Sequence, residues 1–119
     1  MSVAELPIAI DGERIATFCR DRHIRKLSLF GSVLRPDFDP RRSDVDVLAE
    51  FEPGALARAG WDYFGYGEEL GQVLGHKVDF CSRLHPLIHD RVKDGLLTIY
   101  ERSSNLNGSR IGFQELQPK

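Results

Sequence analysis

Three aspartates in this sequence have the types and spacing that chemistry would need. Asp44 and Asp46 flank Val45 in a stretch, 44–51, where Val45, Val47 and Ala49 alternate with Asp44, Asp46 and Leu48. The alternation predicts a strand, and a period of two puts both carboxylates on one face, ~7 Å apart. Aspartate is disfavoured in strands, and two like charges on one face repel unless something neutralises them. A divalent cation does so: Mg²⁺ takes carboxylate oxygens and leaves its other positions to water and phosphates. Asp79 falls in a second alternating run, 77–81, where Val78 and Phe80 face the core and Asp79 the opposite side. Three carboxylates converging from two strands can hold two metal ions, which clamp the attacking and leaving oxygens of phosphoryl transfer. Taken alone, an Asp-x-Asp at a strand edge is also a common solvated turn, and Asp79 also reads as an outward polar residue.

Gly31 and Ser32 change the balance. They follow a short apolar run, 27–30, and precede one possible helical turn, 33–35. Glycine lets backbone approach a ligand closely, helix-start N–H groups attract phosphate oxygens, and Ser32 adds a hydroxyl donor. By itself Gly-Ser is a plain turn; beside the aspartates it suggests a phosphate site. Arg35, three positions after Ser32, is the first candidate to neutralise triphosphate charge, ahead of Arg41, Arg42 and Lys77. Each of these cations reads equally as a solvated surface residue. Ser43 either touches phosphate or closes the loop before Asp44. His85 and His89 stand four apart, a helical spacing for metal, but Pro86 makes His85 a cap and no third ligand is evident.

The elements that must position these residues can be read along the chain. Asp11 caps a helix over 12–22, with Glu13 in its first turn and Ile15, Phe18 and Cys19 as an apolar stripe. A polar break at 21–26 precedes the strand 27–30, and the turn at 33–35 must end before Pro36. Residues 37–43 read as an exposed loop. After the 44–51 strand, Pro53 and Gly54 break the chain. Trp61, Phe64, Leu70, Val73 and Leu74 suggest a helix over 56–74, weakened by Gly60, Gly65, Gly67 and Gly71 and stopped at Gly75. Trp61 and Phe64 are expected in the core, with Tyr63 or Tyr66 facing a partner. A strand at 77–81, a helix over 86–93 closed by Gly95, and a last strand at 96–100 follow. From Arg102 the Ser, Asn and Gly content reads as a tail. This gives a domain over 11–101, a tail over 102–119, and an α/β (α+β) layer of helices covering a small sheet. Pattern alone leaves the strand directions open.

Composition narrows the function classes. The chain has 119 residues, room for one domain, since a second core needs roughly 100 more. It is 41% hydrophobic and 29% charged, the balance of an ordinary globular protein. A net charge of −2 argues against direct nucleic-acid binding, which usually shows as a basic surface. No apolar stretch approaches the ~18 residues of a membrane span, and residues 1–12 lack a basic start and hydrophobic block. A cytoplasmic location is the expectation. Cys19 and Cys81 each sit alone among apolar residues, as small core side chains do.

Gly31 and Ser32, eleven intervening residues, then Asp44-Val45-Asp46 and later Asp79 resemble the DNA polymerase β-like nucleotidyltransferase superfamily. More narrowly, the run from Phe30 to Arg35 with Ser43 to Leu48 is similar to the minimal nucleotidyltransferases (MNT). There a stretch like Leu74 to Phe80 supplies the third carboxylate. The likeness runs from about Ile15 to Tyr100. It implies a mixed sheet flanked by helices and transfer of a nucleoside monophosphate from an NTP, usually ATP, with Mg²⁺. Asp44 and Asp46 would bind both ions, and Asp79 would bind the ion that activates the acceptor and also accept its proton. Gly31 and Ser32 would hold the triphosphate. Many members of this family are antitoxins encoded beside a HEPN-domain ribonuclease toxin, and some inactivate it by transferring AMP to a tyrosine hydroxyl. The resemblance therefore implies a HEPN partner and leaves homo- or hetero-oligomers open. Three features depart from the pattern: Pro36 replaces a common glycine, Leu34 is bulkier than usual, and the tail runs past the usual end. The other functions considered are a non-catalytic antitoxin that blocks its partner sterically and a small-molecule (antibiotic) nucleotidyltransferase. The absence of room for an acceptor-binding half counts against the latter.

Overall fold

A computed structural model describes residues 5–82, 92 and 95–102. The first helix, α1 (Gly12–Asp21), starts where Asp11 accepts hydrogen bonds from the N–H groups of Glu13 and Arg14 at 3.1 and 3.2 Å. Those bonds satisfy amide groups that the first turn of a helix leaves without partners. Ile15, Phe18 and Cys19 are buried, as their i, i+3, i+4 spacing predicts.

The first strand, β1 (Ile24–Phe30), begins three residues earlier than the apolar run suggests. Its early residues look polar because the cations there meet acids across the sheet. Lys26 lies in register with Glu50 on one neighbouring strand and Glu101 on the other, and Arg25 sits 3.5 Å from Glu50. Ile24 meanwhile is buried, so burial and cross-strand charge extend the strand where local hydropathy would end it.

β1 and β2 (Val45–Phe51) form the antiparallel centre of a four-stranded sheet, ordered β3-β2-β1-β4. β4 (Leu97–Glu101) adds antiparallel to β1, and β3 (Val78–Ser82) adds parallel to β2. The sheet is mixed and flanked by helices. A parallel neighbour needs a crossover, which α2 (Ala55–Ala59), a 3₁₀ turn (Gly60–Asp62) and α3 (Tyr63–Leu74) supply.

The single helix expected over 56–74 is therefore three pieces. Gly60, at φ 56° and ψ −131°, leaves helical geometry and breaks the register between them. As a result Tyr66, Leu70 and Leu74, spaced by four, form the buried stripe of α3. Phe64 precedes Tyr66 by two residues, about 200° around the helix, and faces away. Trp61 and Phe64 are 87% and 74% exposed, which corrects their expected place in the core; Tyr66, expected as a candidate for a partner, is buried.

The glycines that weaken the helix prediction have a packing role. A Cβ on Gly71 would lie 2.9 Å from the His76 carbonyl oxygen, and one on Gly67 3.2 Å from Phe80 Cβ. Their absence of side chains lets α3 lie against β3. The main core fills the space between α1, α3 and one sheet face, around Leu27, Leu29, Val45, Val47 and Ala49. Phe30, Leu48 and Cys81 form a second cluster on the opposite face. Both cysteines are buried. Burial pushes the Cys19 thiol up to about 12. The helix read over 86–93, the His85 and His89 pair and the tail lie outside the described residues, apart from Val92 and Arg102. Among the described residues no helix is long and apolar enough to cross a membrane.

Candidate active site

β1 delivers the chain into the site at one peptide. Phe30 is extended at φ −151°, Gly31 follows at φ +76°, and the chain turns at once into a 3₁₀ helix, Gly31–Leu34. The turn thus starts two residues before the 33–35 segment that sequence suggested and ends at Leu34. Arg35 leaves it extended (φ −109°, ψ 152°), the geometry that Pro36 imposes on its predecessor.

Asp46 is the register partner of Phe30, and its carboxylate lies over this turn. A Cβ on residue 31 would collide with Asp46 Oδ2 and stand 3.2 Å from Asp46 Cγ. Gly31 therefore meets two demands: a left-handed backbone, and room for a carboxylate.

On its other side Asp46 pairs in register with Asp79 of β3. Register partners on parallel strands point the same way, and a strand spacing of about 4.8 Å makes these two aspartates neighbours. They share the face that carries Phe30, Leu48 and Cys81, opposite α1 and α3. Asp44 sits one residue ahead of β2. The Val45 N–H donates to the Lys77 carbonyl at 2.9 Å, which ties that end of β2 to the start of β3. Asp44, Asp46 and Asp79 are all half-buried.

Ser32 is half-buried at the turn, with its carbonyl accepting from the Arg35 N–H at 2.9 Å. Arg35 is exposed, its Nε 3.6 Å from Asp37. Lys77, Arg41 and Arg42 are exposed too. Ser43 closes the loop: its Oγ accepts from the Asp39 N–H at 3.4 Å, and its own N–H donates to the Asp39 carbonyl at 2.7 Å.

Asp39 is the residue that sequence reasoning missed. Its carboxylate accepts from the Arg41 N–H at 3.0 Å and lies 3.8 Å from Arg42 Nε. The available signal was an aspartate before Pro40 with a serine four positions on, a local turn pattern. Phe38 corrects the reading of 37–43 as wholly exposed, because its ring is buried and anchors the loop.

The donor set suits Mg²⁺ in kind: hard carboxylate oxygens, two of them from register neighbours on one face. Among the described residues, however, no three His, Cys, Asp or Glu side chains are drawn together as a metal-binding group. The strands bring Asp46 and Asp79 side by side, and Asp44 stands one residue before β2.

The sequence profile described as "Nucleotidyltransferase domain" matches residues 13–100, most of the chain. The chain belongs to this family. Its nucleotidyltransferase domain has the fold of chains in crystal structures of toxin–antitoxin assemblies. One, a mutant of the toxin–antitoxin MntA-HpeT, aligns with TM-score 0.55 at 15% identity, over 77% of this chain and 74% of that one. Another, a toxin–antitoxin with AMP-PNP, aligns with TM-score 0.55 at 17% identity over the same shares. A second MntA-HpeT mutant gives TM-score 0.53 at 17% identity, over 78% and 74%. No curated protein matches the chain.

Proposed function

We propose that this nucleotidyltransferase transfers AMP from ATP to a hydroxyl on a partner protein, and that the partner is a HEPN-type toxin to which it acts as antitoxin. The observation that carries the reading is the Asp46 carboxylate lying over Gly31 while Asp79 stands beside it in register. That sets two acidic groups at the Gly31–Ser32 turn, where metal-bound phosphates would sit. The family match supports nucleotide transfer, and the likeness to toxin–antitoxin chains, one with AMP-PNP, supports the choice of nucleotide and partner.

In this reading the turn at Gly31 and Ser32 holds the phosphates, with Ser32 donating its hydroxyl to one. Arg35 swings from Asp37 to neutralise triphosphate charge. Ser43 holds the 37–43 loop closed through Asp39 and keeps its hydroxyl proton available for phosphate. Asp44, Asp46 and Asp79 would hold Mg²⁺, which when bound neutralises their mutual repulsion and stabilises charge on the phosphates. The acceptor oxygen forms a bond to the α-phosphorus in line with the breaking α–β bridge. Pyrophosphate leaves, and the acceptor proton passes to Asp79. The proposed boundaries are a catalytic domain over 11–101 and a tail over 102–119.

The test is incubation of the chain with ATP, Mg²⁺ and a HEPN toxin encoded beside it, with mass spectrometry of the toxin. One or more added AMP groups are expected, and Asp46→Ala or Asp79→Ala should lower the yield by about a hundredfold or more. Transfer by both variants at the unaltered rate would refute the site. A steric, non-catalytic antitoxin is the second reading, on the ground that among the described residues the carboxylates are not drawn into one group. A thermal shift separates the two: MgATP at ~100 times its Kd should add about 2.7 kcal/mol of stability, and no shift at millimolar nucleotide favours the steric reading.

A further inference from the structure

The described residues leave two large hydrophobic side chains exposed, and they adjoin one another. Trp61 and Phe64 are 87% and 74% exposed, with ring centroids 5.7 Å apart. They sit on consecutive turns, Trp61 in the 3₁₀ segment and Phe64 in the first turn of α3. Tyr63 extends the ring cluster inward, 5.7 Å from Phe64 and 6.3 Å from Phe51, so the pair is seated on the core rather than on a loose loop.

Beside Trp61 runs a groove of about 510 Å³, lined by Asp21, Arg22, Asp62, Tyr66 and Glu69 as well as the indole. Its charge is unbalanced, with three carboxylates against one guanidinium. That guanidinium is already committed: Arg22 donates to Glu69 through Nε and Nη2 at 3.0 and 2.8 Å, and stacks over Phe18 at 4.1 Å. Asp21 and Asp62 therefore give the groove a negative rim beside an exposed aromatic face. Such a surface complements a cation carried on an apolar stem, because an indole face and carboxylates both attract arginine or lysine.

We infer that the Trp61–Phe64 patch with its Asp21/Asp62 rim is a docking surface for a protein partner that presents arginine or lysine beside an apolar side chain. The inference rests on the partner reading above and deepens it: the HEPN-type toxin is the occupant. The patch is remote from the aspartates. It lies on the α1–α3 face near the start of β1, whereas Asp46 faces away from those helices at the end of β1, roughly 20 Å along the strand. Docking and nucleotide binding are consequently separable by mutation.

Trp61 is the sole tryptophan, so its fluorescence reports on the patch directly. In the full-length chain alone its emission should be that of a solvated indole, fully quenched by acrylamide. Binding of the HEPN toxin, measured by calorimetry, should weaken about tenfold or more in Trp61→Ala/Phe64→Ala, and should weaken in Asp21→Lys/Asp62→Lys. It should also fall as NaCl rises from about 50 to about 500 mM. Asp46→Ala should bind the toxin like the unaltered chain, and the patch variants should keep the MgATP thermal shift, which shows that they fold. Wild-type affinity in Trp61→Ala/Phe64→Ala would overturn the docking surface and leave the partner reading standing. Failure of the unaltered chain to bind any HEPN toxin would overturn the partner reading and this occupant with it. A Trp61 shielded in the isolated chain would also overturn it. Shielding that grows with concentration would assign the patch to a second copy; shielding that does not, and that is lost on truncation after Arg102, would assign it to the chain's own tail.

Discussion

Replacing Gly31 by alanine tests the contact on which the site is built. Two costs are expected. The first is the left-handed backbone at φ +76°, about 1–2 kcal/mol for a residue with a Cβ. The second is the collision of that Cβ with the Asp46 carboxylate, an overpacking term of about 1–3 kcal/mol. Together they come to about 3 kcal/mol, or a fall in Tm of roughly 10 °C for a domain of this size. The two terms separate in an Asp46→Ala background. There the nearest remaining atom of residue 46 is its Cβ at 3.5 Å, ordinary van der Waals contact. Gly31→Ala should then cost only the backbone term, leaving a coupling of about 1–2 kcal/mol, well above the few tenths expected of independent sites. Urea unfolding of the four proteins, with slopes compared to confirm a common unfolded state, measures it. Equal costs in the two backgrounds would show that the carboxylate does not lie over the turn, and the site geometry would fall with it.

Two glycines of α3 should respond in opposite directions to the same substitution. Gly71→Ala gains about 1 kcal/mol of helix propensity but drives a Cβ to 2.9 Å from the His76 carbonyl, a backbone atom that cannot move cheaply, so net destabilisation of about 1–2 kcal/mol is expected. Gly65→Ala meets nothing nearer than Glu69 Oε2 at 4.0 Å and should stabilise by about 0.5–1 kcal/mol in the same urea experiment. Alkaline stability gives a third check. The folded chain holds the Cys19 proton to about pH 12, while the unfolded thiol loses it near its ordinary value of 9.0. Above pH 9 the unfolded state thus binds fewer protons, and stability falls as pH rises, by up to about 1.4 kcal/mol per unit from this group. Cys19→Ala should flatten the fall in Tm between pH 9 and 11. Some slope remains, because burial also raises Tyr66 and Tyr100. Parallel curves for the two proteins would refute the assignment.

Much of this protein was decided locally and so could be read from its sequence. The Asp11 cap, the Ile15–Phe18–Cys19 stripe and the stop at Gly75 depend on neighbours within one or two turns. The alternation that turns Asp46 and Asp79 away from the core depends only on the period of a strand. What tertiary structure decided involves partners far apart in the chain. β1 extends back to a buried Ile24, with Glu50 and Glu101 in register across from Lys26 on both sides, and no local window contains either acid. Phe38 is buried in a loop that reads as polar. Trp61 and Phe64 fit a helical stripe on paper, but the break at Gly60 and the prior claim of Tyr66, Leu70 and Leu74 on the core turn them outward. The site itself divides the same way. Sequence determined which residues are acidic, which is a glycine, and which face each carboxylate takes. Only the pairing of β2 with both β1 and β3 set Asp46 over Gly31 and beside Asp79, since strand order and register are contacts that no repeating local pattern can specify.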